Sequence, residues 1–224
     1  MLDVFHFVMK GLFITFEGTE GSGKSTQATL LVEKLRTLGR TVRLFREPGG
    51  TPIGEEIRHT LKHSRANDAM TAEAELLLMN ASRAQLVREV IRPALAQGEI
   101  IVCDRFYDST TAYQGYGRQL GLEAVRRIIE IAVGDTQPDL TLLLQVPPAV
   151  SEERLRSRQA TLPFIRDRIE EADRAFFERV AKGYQAIAAA EPKRIHLING
   201  TGTVEEIQSA IWRTVAALVA ADKA

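Results

Sequence analysis

Phe16-Glu17-Gly18-Thr19-Glu20-Gly21-Ser22-Gly23-Lys24-Ser25 is the stretch on which the fold turns. From Gly18 to Ser25 it satisfies the spacing G-x-x-x-x-G-K-[ST]. The flanks give the spacing its meaning. Upstream, residues 12–16 form a short apolar run that reads as a strand. Downstream, Ala28, Leu31, Leu35 and Leu38 recur on one face of a helix that Gly39 ends. A glycine-rich turn between strand and helix lets successive backbone N–H groups point inward and form an anion nest. The helix N-terminus adds about half a positive charge. Lys24 can reach terminal phosphates and the Ser25 hydroxyl can ligate Mg²⁺. Residues Gly18, Thr19, Glu20, Gly21, Ser22, Gly23, Lys24, Ser25 and Thr26 are the expected cradle for ATP. A chance glycine-rich turn is the bland alternative, and strand, loop and helix in register argue against it.

Working outward, short β-branched runs alternate with longer helical ones. Strands are expected at 12–16, 42–45, 99–103, 140–146 and 195–198. The run at 99–103 is apolar on both faces, as a central parallel strand should be. Residues 71–97 read as one long helix interrupted at Pro93. A last helix starts near Thr203, where Thr203 and Glu206 have capping-box spacing. Val204, Ile207, Ile211, Val215 and Leu218 then form its apolar stripe. This alternation predicts a three-layer α/β P-loop NTPase fold, with a five-stranded parallel sheet flanked by helices. We read 1–224 as one domain, with 1–10 as an N-terminal extension.

Composition narrows the functional classes. Lys+Arg and Asp+Glu are equal at 29 each, so nothing global favours nucleic acid or a membrane surface. Any anion site must be local. No run approaches the roughly 18 apolar residues of a membrane span. The N-terminus lacks a basic region and a small-residue cleavage site, so a secretory signal is not expected. Cys103 is the only cysteine. It lies in an apolar run and reads as a buried, inert thiol, which fits a cytoplasmic protein.

Phosphoryl transfer to a small acceptor also needs an acceptor pocket, cations across the moving group, and exclusion of water. Asp104-Arg105 ends the third strand beside the loop. Asp104 could hold Mg²⁺ or a Mg²⁺-bound water, and Arg105 could fork onto an acceptor phosphate. A plain surface ion pair is the alternative. Residues 151–170 carry Arg154, Arg156, Arg158, Arg166 and Arg168, and Arg154 and Arg158 share a helix face. Acidic residues cluster at the ends and leave the middle basic. We read the segment as an arginine-rich lid, against a solvated helix face.

With these motifs assembled, the chain resembles the bacterial thymidylate kinases from about residue 10 to the final helix. The resemblance rests on Phe16–Ser25, Arg46-Glu47-Pro48-Gly49-Gly50-Thr51, Asp104-Arg105-Phe106, Ser109 with Ala112-Tyr113-Gln114-Gly115, and Pro138-Asp139-Leu140-Thr141. It implies transfer of the γ-phosphoryl of ATP to dTMP, Mg²⁺ with the ATP, and a homodimer. It implies that Glu20 accepts from the sugar 3′-OH, and that Arg46, Arg58 and Arg105 face the dTMP phosphate. Arg83 would donate to a thymine carbonyl, Ser109 would lie nearby, Thr110 and Gln114 would sit at the base edge, and Tyr113 would crowd the 2′ position. Some relatives carry an arginine inside the loop; here that position is Gly21. The family's other solution draws it from the lid, which makes Arg158 the first choice as transition-state cation and Arg154 the second, with Lys24, Arg105 and Asp104 completing the catalytic set. Met79 stands where the family usually has a phenylalanine stacking on thymine, and Gln145 where an aspartate is common. Two alternatives remain: a kinase for dUMP, CMP or AMP, and a nucleotide switch that hydrolyses slowly without an acceptor.

Overall fold

A computed structural model describes residues 11–64, 66–161, 168, 169 and 172–221; the side chains of 158–161 and 221 lie outside the description. The strands are β1 Leu12–Glu17, β2 Val42–Arg46, β3 Ile100–Asp104, β4 Leu140–Gln145 and β5 Ile195–Asn199. They form one sheet in the order β2-β3-β1-β4-β5, and every neighbouring pair is parallel. The expected five-stranded parallel sheet is therefore present. The strand carrying the glycine-rich motif is its centre. β1 is buried along its whole length, which explains its unbroken apolar sequence.

The period of two along the strands divides the core. Leu12, Ile14, Phe16, Ile100, Val102, Leu140, Leu142 and Leu144 face α1 (Lys24–Thr37) and α9 (Val204–Ala221). Phe13, Ile101 and Cys103 face the opposite way, onto the helical stretch 72–96 and α6 (Leu122–Val133). These are the three layers. α2 (Pro52–Lys62) follows β2 and packs against α3 (Ala72–Leu86). The helix expected at 71–97 is α3, then a wide π turn at Val87–Ile91, then α4 (Arg92–Ala96). Pro93 is in the first turn of α4, where its missing N–H is tolerated because the widened turn precedes it.

Two expected core residues are not in the core. Leu38 is 48% exposed because Gly39, at φ +76°, turns the chain away from the sheet. Val204 is 44% exposed at the first position of α9, before the stripe reaches α1. The capping box of α9 forms as its spacing requires: Thr203 N–H donates to Glu206 Oε2 at 2.8 Å, and Glu206 N–H to Thr203 Oγ1 at 3.2 Å. Among the described residues no helix is long and apolar enough to cross a membrane.

Candidate active site

The site lies at the C-terminal ends of β1 and β3. The chain winds to β3 and β2 on one side of β1 and to β4 and β5 on the other, and a crevice opens where the winding reverses. The glycine-rich loop leaves β1 into this crevice. Gly18, Gly21 and Gly23 have φ of +135°, +70° and +95°, values that a Cβ would strain. Gly23 caps α1, so the helix begins at Lys24. Lys24 Nζ donates to the carbonyls of Gly18 at 3.0 Å and Thr19 at 2.8 Å. Burial is the main cause that lowers the lysine to a pKa of about 8, with Arg105 adding to the effect. A phosphate beside it would raise that pKa again. Ser25 and Thr26 are exposed at the mouth.

Ser25 Oγ donates to Asp104 Oδ2. Two hard oxygen donors therefore stand side by side at the loop, as the sequence suggested. No cluster of three metal-ligating side chains occurs among the described residues. The pair fits Mg²⁺, which takes few protein ligands and completes its shell with phosphate oxygens and water. Arg46 lines the same cleft and pairs with Glu55 at 3.2 Å.

A second cavity, further from α1, brings together Glu20, Met79, Arg83, Arg105, Ser109, Thr110, Tyr113 and Gln114. These come from the loop, α3, the end of β3 and the segment Tyr107–Gly117. That segment starts as α5 (Tyr107–Thr110) and widens into a π helix, Thr111–Gly117, which carries Tyr113 and Gln114. Arg58 does not line the cavity; its Nη1 donates to the Pro48 carbonyl at 2.9 Å. Arg105 has φ +73°, unusual for a side chain with a Cβ. Its Nη2 pairs with Glu20 at 2.6 Å and reaches Tyr113 Oη at 3.1 Å. Burial would raise the Glu20 pKa, but Arg105 and Lys24 outweigh it and hold it at about 2.

Several residues were not singled out in the sequence reading. Glu17, fully buried at the end of β1, accepts from Phe106 N at 2.8 Å, Ser109 N at 3.2 Å, Ser109 Oγ at 2.5 Å and Tyr184 Oη at 2.8 Å. This carboxylate fastens the strained turn that carries Arg105. Burial, reinforced by Asp108, raises its pKa. Tyr184 comes from α8 (Arg174–Ala190) and also accepts from Arg105 Nη1 at 3.2 Å. Its separation of 167 residues from Glu17 left nothing local to read. Glu75 is fully buried and binds Gln114, Arg118 and Arg168 together. A charged residue closing a buried strand was the one available clue to Glu17.

The arginine-rich stretch 151–170 is the segment read as a lid. Up to residue 161 it is regular helix, α7 (Pro148–Thr161), because the sequence there has no helix breaker after Pro148. Ser151 Oγ donates to the Glu20 carbonyl at 2.5 Å, so α7 is joined to the loop. Arg154 lies against the loop: Nη2 donates to Gly200 O at 2.9 Å and Nη1 to Gly21 O at 3.4 Å. Arg156 points to solvent and pairs with Glu152. The Arg158 side chain and the whole of Arg166 lie outside the described residues, as does residue 163.

A β1–loop–α1 nest, a paired serine and aspartate, and an arginine-lined cavity are the geometry of a nucleotide kinase. Comparison with known proteins agrees. The thymidylate kinase family model matches residues 16–211. The chain belongs to the thymidylate kinase family. It is 48% identical over 204 residues to a thymidylate kinase of Synechococcus sp. (strain JA-2-3B'a(2-13)), covering 91% of this chain and 94% of that protein. It is 45% identical to one from Alcanivorax borkumensis, over 92% and 97% of the two chains. A crystal structure of thymidylate kinase from Ehrlichia chaffeensis superposes with a TM-score of 0.73 at 31% identity, covering 92% of this chain and 99% of that one. Family membership makes the protein a nucleoside monophosphate kinase with this α/β fold.

Proposed function

We propose that this protein transfers the γ-phosphoryl of ATP to dTMP, giving dTDP and ADP, with ATP on the loop of residues 18–25 and dTMP in the arginine-lined cavity. The observation that carries the reading is the cavity itself. Glu20, Arg83, Arg105 and Tyr113 meet there beside the phosphate loop, so an acceptor seated among them has its phosphate next to the donor's.

The division of labour follows from chemistry. The loop amides and Lys24 hold the triphosphate. Ser25 and Asp104 would hold Mg²⁺, which would supply charge neutralisation on the phosphates. Arg105 faces the acceptor phosphate, joined by Arg46 and Arg58 where the bound substrate draws them in. Glu20 accepts from the sugar 3′-OH. Tyr113 fills the 2′ space and makes a ribose hydroxyl clash. Arg83 is donor-only, so it favours a base carbonyl over an exocyclic amine. Met79 packs on the base face, with Ser109, Thr110 and Gln114 around it. Arg154, already against the loop carbonyls, and Arg158 on the next turn of α7 supply the cation that bridges the phosphates in the transition state. Transfer is direct and in line, so positioning and charge stabilisation carry the catalysis. We place the enzyme in the cytoplasm as a homodimer and one kinase domain, in keeping with its resemblance to the family.

ADP release measured across nucleoside monophosphates with Mg²⁺·ATP tests the reading. dTMP is expected to give the highest kcat/KM. A tenfold preference for dUMP, CMP or AMP refutes the acceptor, and equal ATP turnover without any acceptor refutes the kinase.

A further inference from the structure

The motif Arg46–Thr51 marks the family, yet Glu47 within it has so far been given no task. Glu47 is buried at the end of β2, lines the acceptor cavity, and pairs with Arg83 across from α3. Arg83 has five N–H groups on three nitrogens, and each nitrogen is engaged. Nε donates to Glu47 Oε2 at 2.8 Å; Nη2 donates to the Phe106 carbonyl at 3.2 Å and lies 2.7 Å from the same Glu47 oxygen in the ion pair. Nη1 donates to Asn80 Oδ1 at 3.0 Å and Thr110 Oγ1 at 2.9 Å. An incoming base carbonyl must therefore compete for one of these nitrogens.

Of those acceptors, Glu47 and the Phe106 carbonyl are the least replaceable, one touching two of the guanidinium nitrogens and one part of the backbone. Asn80 is fixed by its own Nδ2, which donates to the Leu76 carbonyl at 2.8 Å, and it is not in the cavity wall. Thr110 is in the wall, and a hydroxyl can turn. We propose that Glu47 is a positioning residue for base recognition: by clamping Nε and Nη2 of Arg83 it leaves the Nη1 edge, where Thr110 now sits, as the one donor offered to the acceptor's base. Glu47 Oε1 is buried without a hydrogen-bond partner among the described residues, so both arginine contacts converge on Oε2 and the carboxylate works as a one-sided clamp. A guanidinium held this way meets a carbonyl at a single fixed point. Released, it could rotate and meet other bases as well.

This inference rests on the proposed reading of the cavity as the dTMP site. Glu47→Ala should raise KM for dTMP roughly 10- to 100-fold, the worth of a charge-assisted hydrogen bond, while kcat moves little. Discrimination of dTMP against dCMP should shrink by a similar factor. Glu47→Gln, whose amide oxygen can still accept from Nε, should restore most of both. The decisive control is the base-free deoxyribose phosphate as acceptor, whose slow phosphorylation should be the same in all three proteins. If Glu47→Ala lowers activity on the base-free acceptor by the same factor as on dTMP, or leaves KM and discrimination unchanged, the positioning role is wrong. Should Glu47→Ala not fold, Glu47→Asp carries the same test: the charge is kept and the reach lost, and an unchanged KM for dTMP overturns the proposal. A wild-type protein that does not phosphorylate dTMP sinks the reading of the cavity instead.

Discussion

Replacing Gly21 by alanine tests whether the joint between the phosphate loop and α7 matters. Gly21 has φ +70°, and a Cβ built there would meet the backbone oxygen of Ser151 at 2.7 Å, well inside the 3.4 Å at which ordinary contact begins. The left-handed conformation alone costs an alanine roughly 1–2 kcal/mol. Relieving the contact means moving backbone rather than a flexible side chain, so the loop or α7 must shift. That shift strains two hydrogen bonds across the joint, Ser151 Oγ to Glu20 O and Arg154 Nη1 to Gly21 O. Each contributes about 0.5–1.5 kcal/mol. The total is about 3 kcal/mol, and for a chain of this size Tm should fall by about 6–12 °C. ATP affinity should fall with it, by roughly tenfold for a 1.4 kcal/mol loss in the nest. Gly39→Ala is the control: φ is +76° and nothing lies within 4 Å of its Cβ. It should cost only the conformational share and leave ATP binding unchanged. Calorimetric melting and ATP titration of both variants provide the comparison. Equal Tm losses with unaltered ATP affinity in Gly21→Ala would refute the argument.

Other expectations can be checked with standard assays. Arg158→Ala should lower kcat about 10³-fold with little change in dTMP affinity, by steady-state kinetics and direct binding; an unaltered kcat would move the role to Arg154. Lys24→Ala should abolish transfer while the melting temperature stays close to wild type. Thr203→Ala removes one half of the α9 capping box and should cost about 1 kcal/mol, or 2–4 °C, by thermal melting. Glu20 has a folded pKa of about 2 against an ordinary 4.5. The unfolded chain therefore binds more protons between these values, and the stabilisation is present above about pH 4.5 and lost as pH falls toward 2. Urea unfolding at pH 6 and pH 4 should show a smaller loss in Glu20→Gln than in wild type; identical losses would mean the Arg105 pairing is not what holds Glu20 ionised.

The parts of this protein written in contiguous residues were open to reading. The loop at 18–25, the five strands and the α9 capping box depend on neighbours along the chain, and alternation or spacing exposes them. The arginine stretch showed its charges along the chain, while its attachment was decided by continuity of the helix from Pro148 and by docking of Ser151 on Glu20 O. Leu38 and Val204 fit the helical period but fall at helix ends, where period no longer implies burial.

The sequence by itself determined the phosphate cradle and the parallel sheet, since both arise from local backbone geometry and side-chain period. It also supplied most of the cavity's residues, but only through their resemblance to a family. The tertiary structure alone decided how those residues hold one another. Glu17 meets Tyr184, Glu47 meets Arg83, and Glu75 meets Gln114, Arg118 and Arg168, each across distant segments. A buried charge must find its partners in space, and no pattern along one chain records which distant residue will be there.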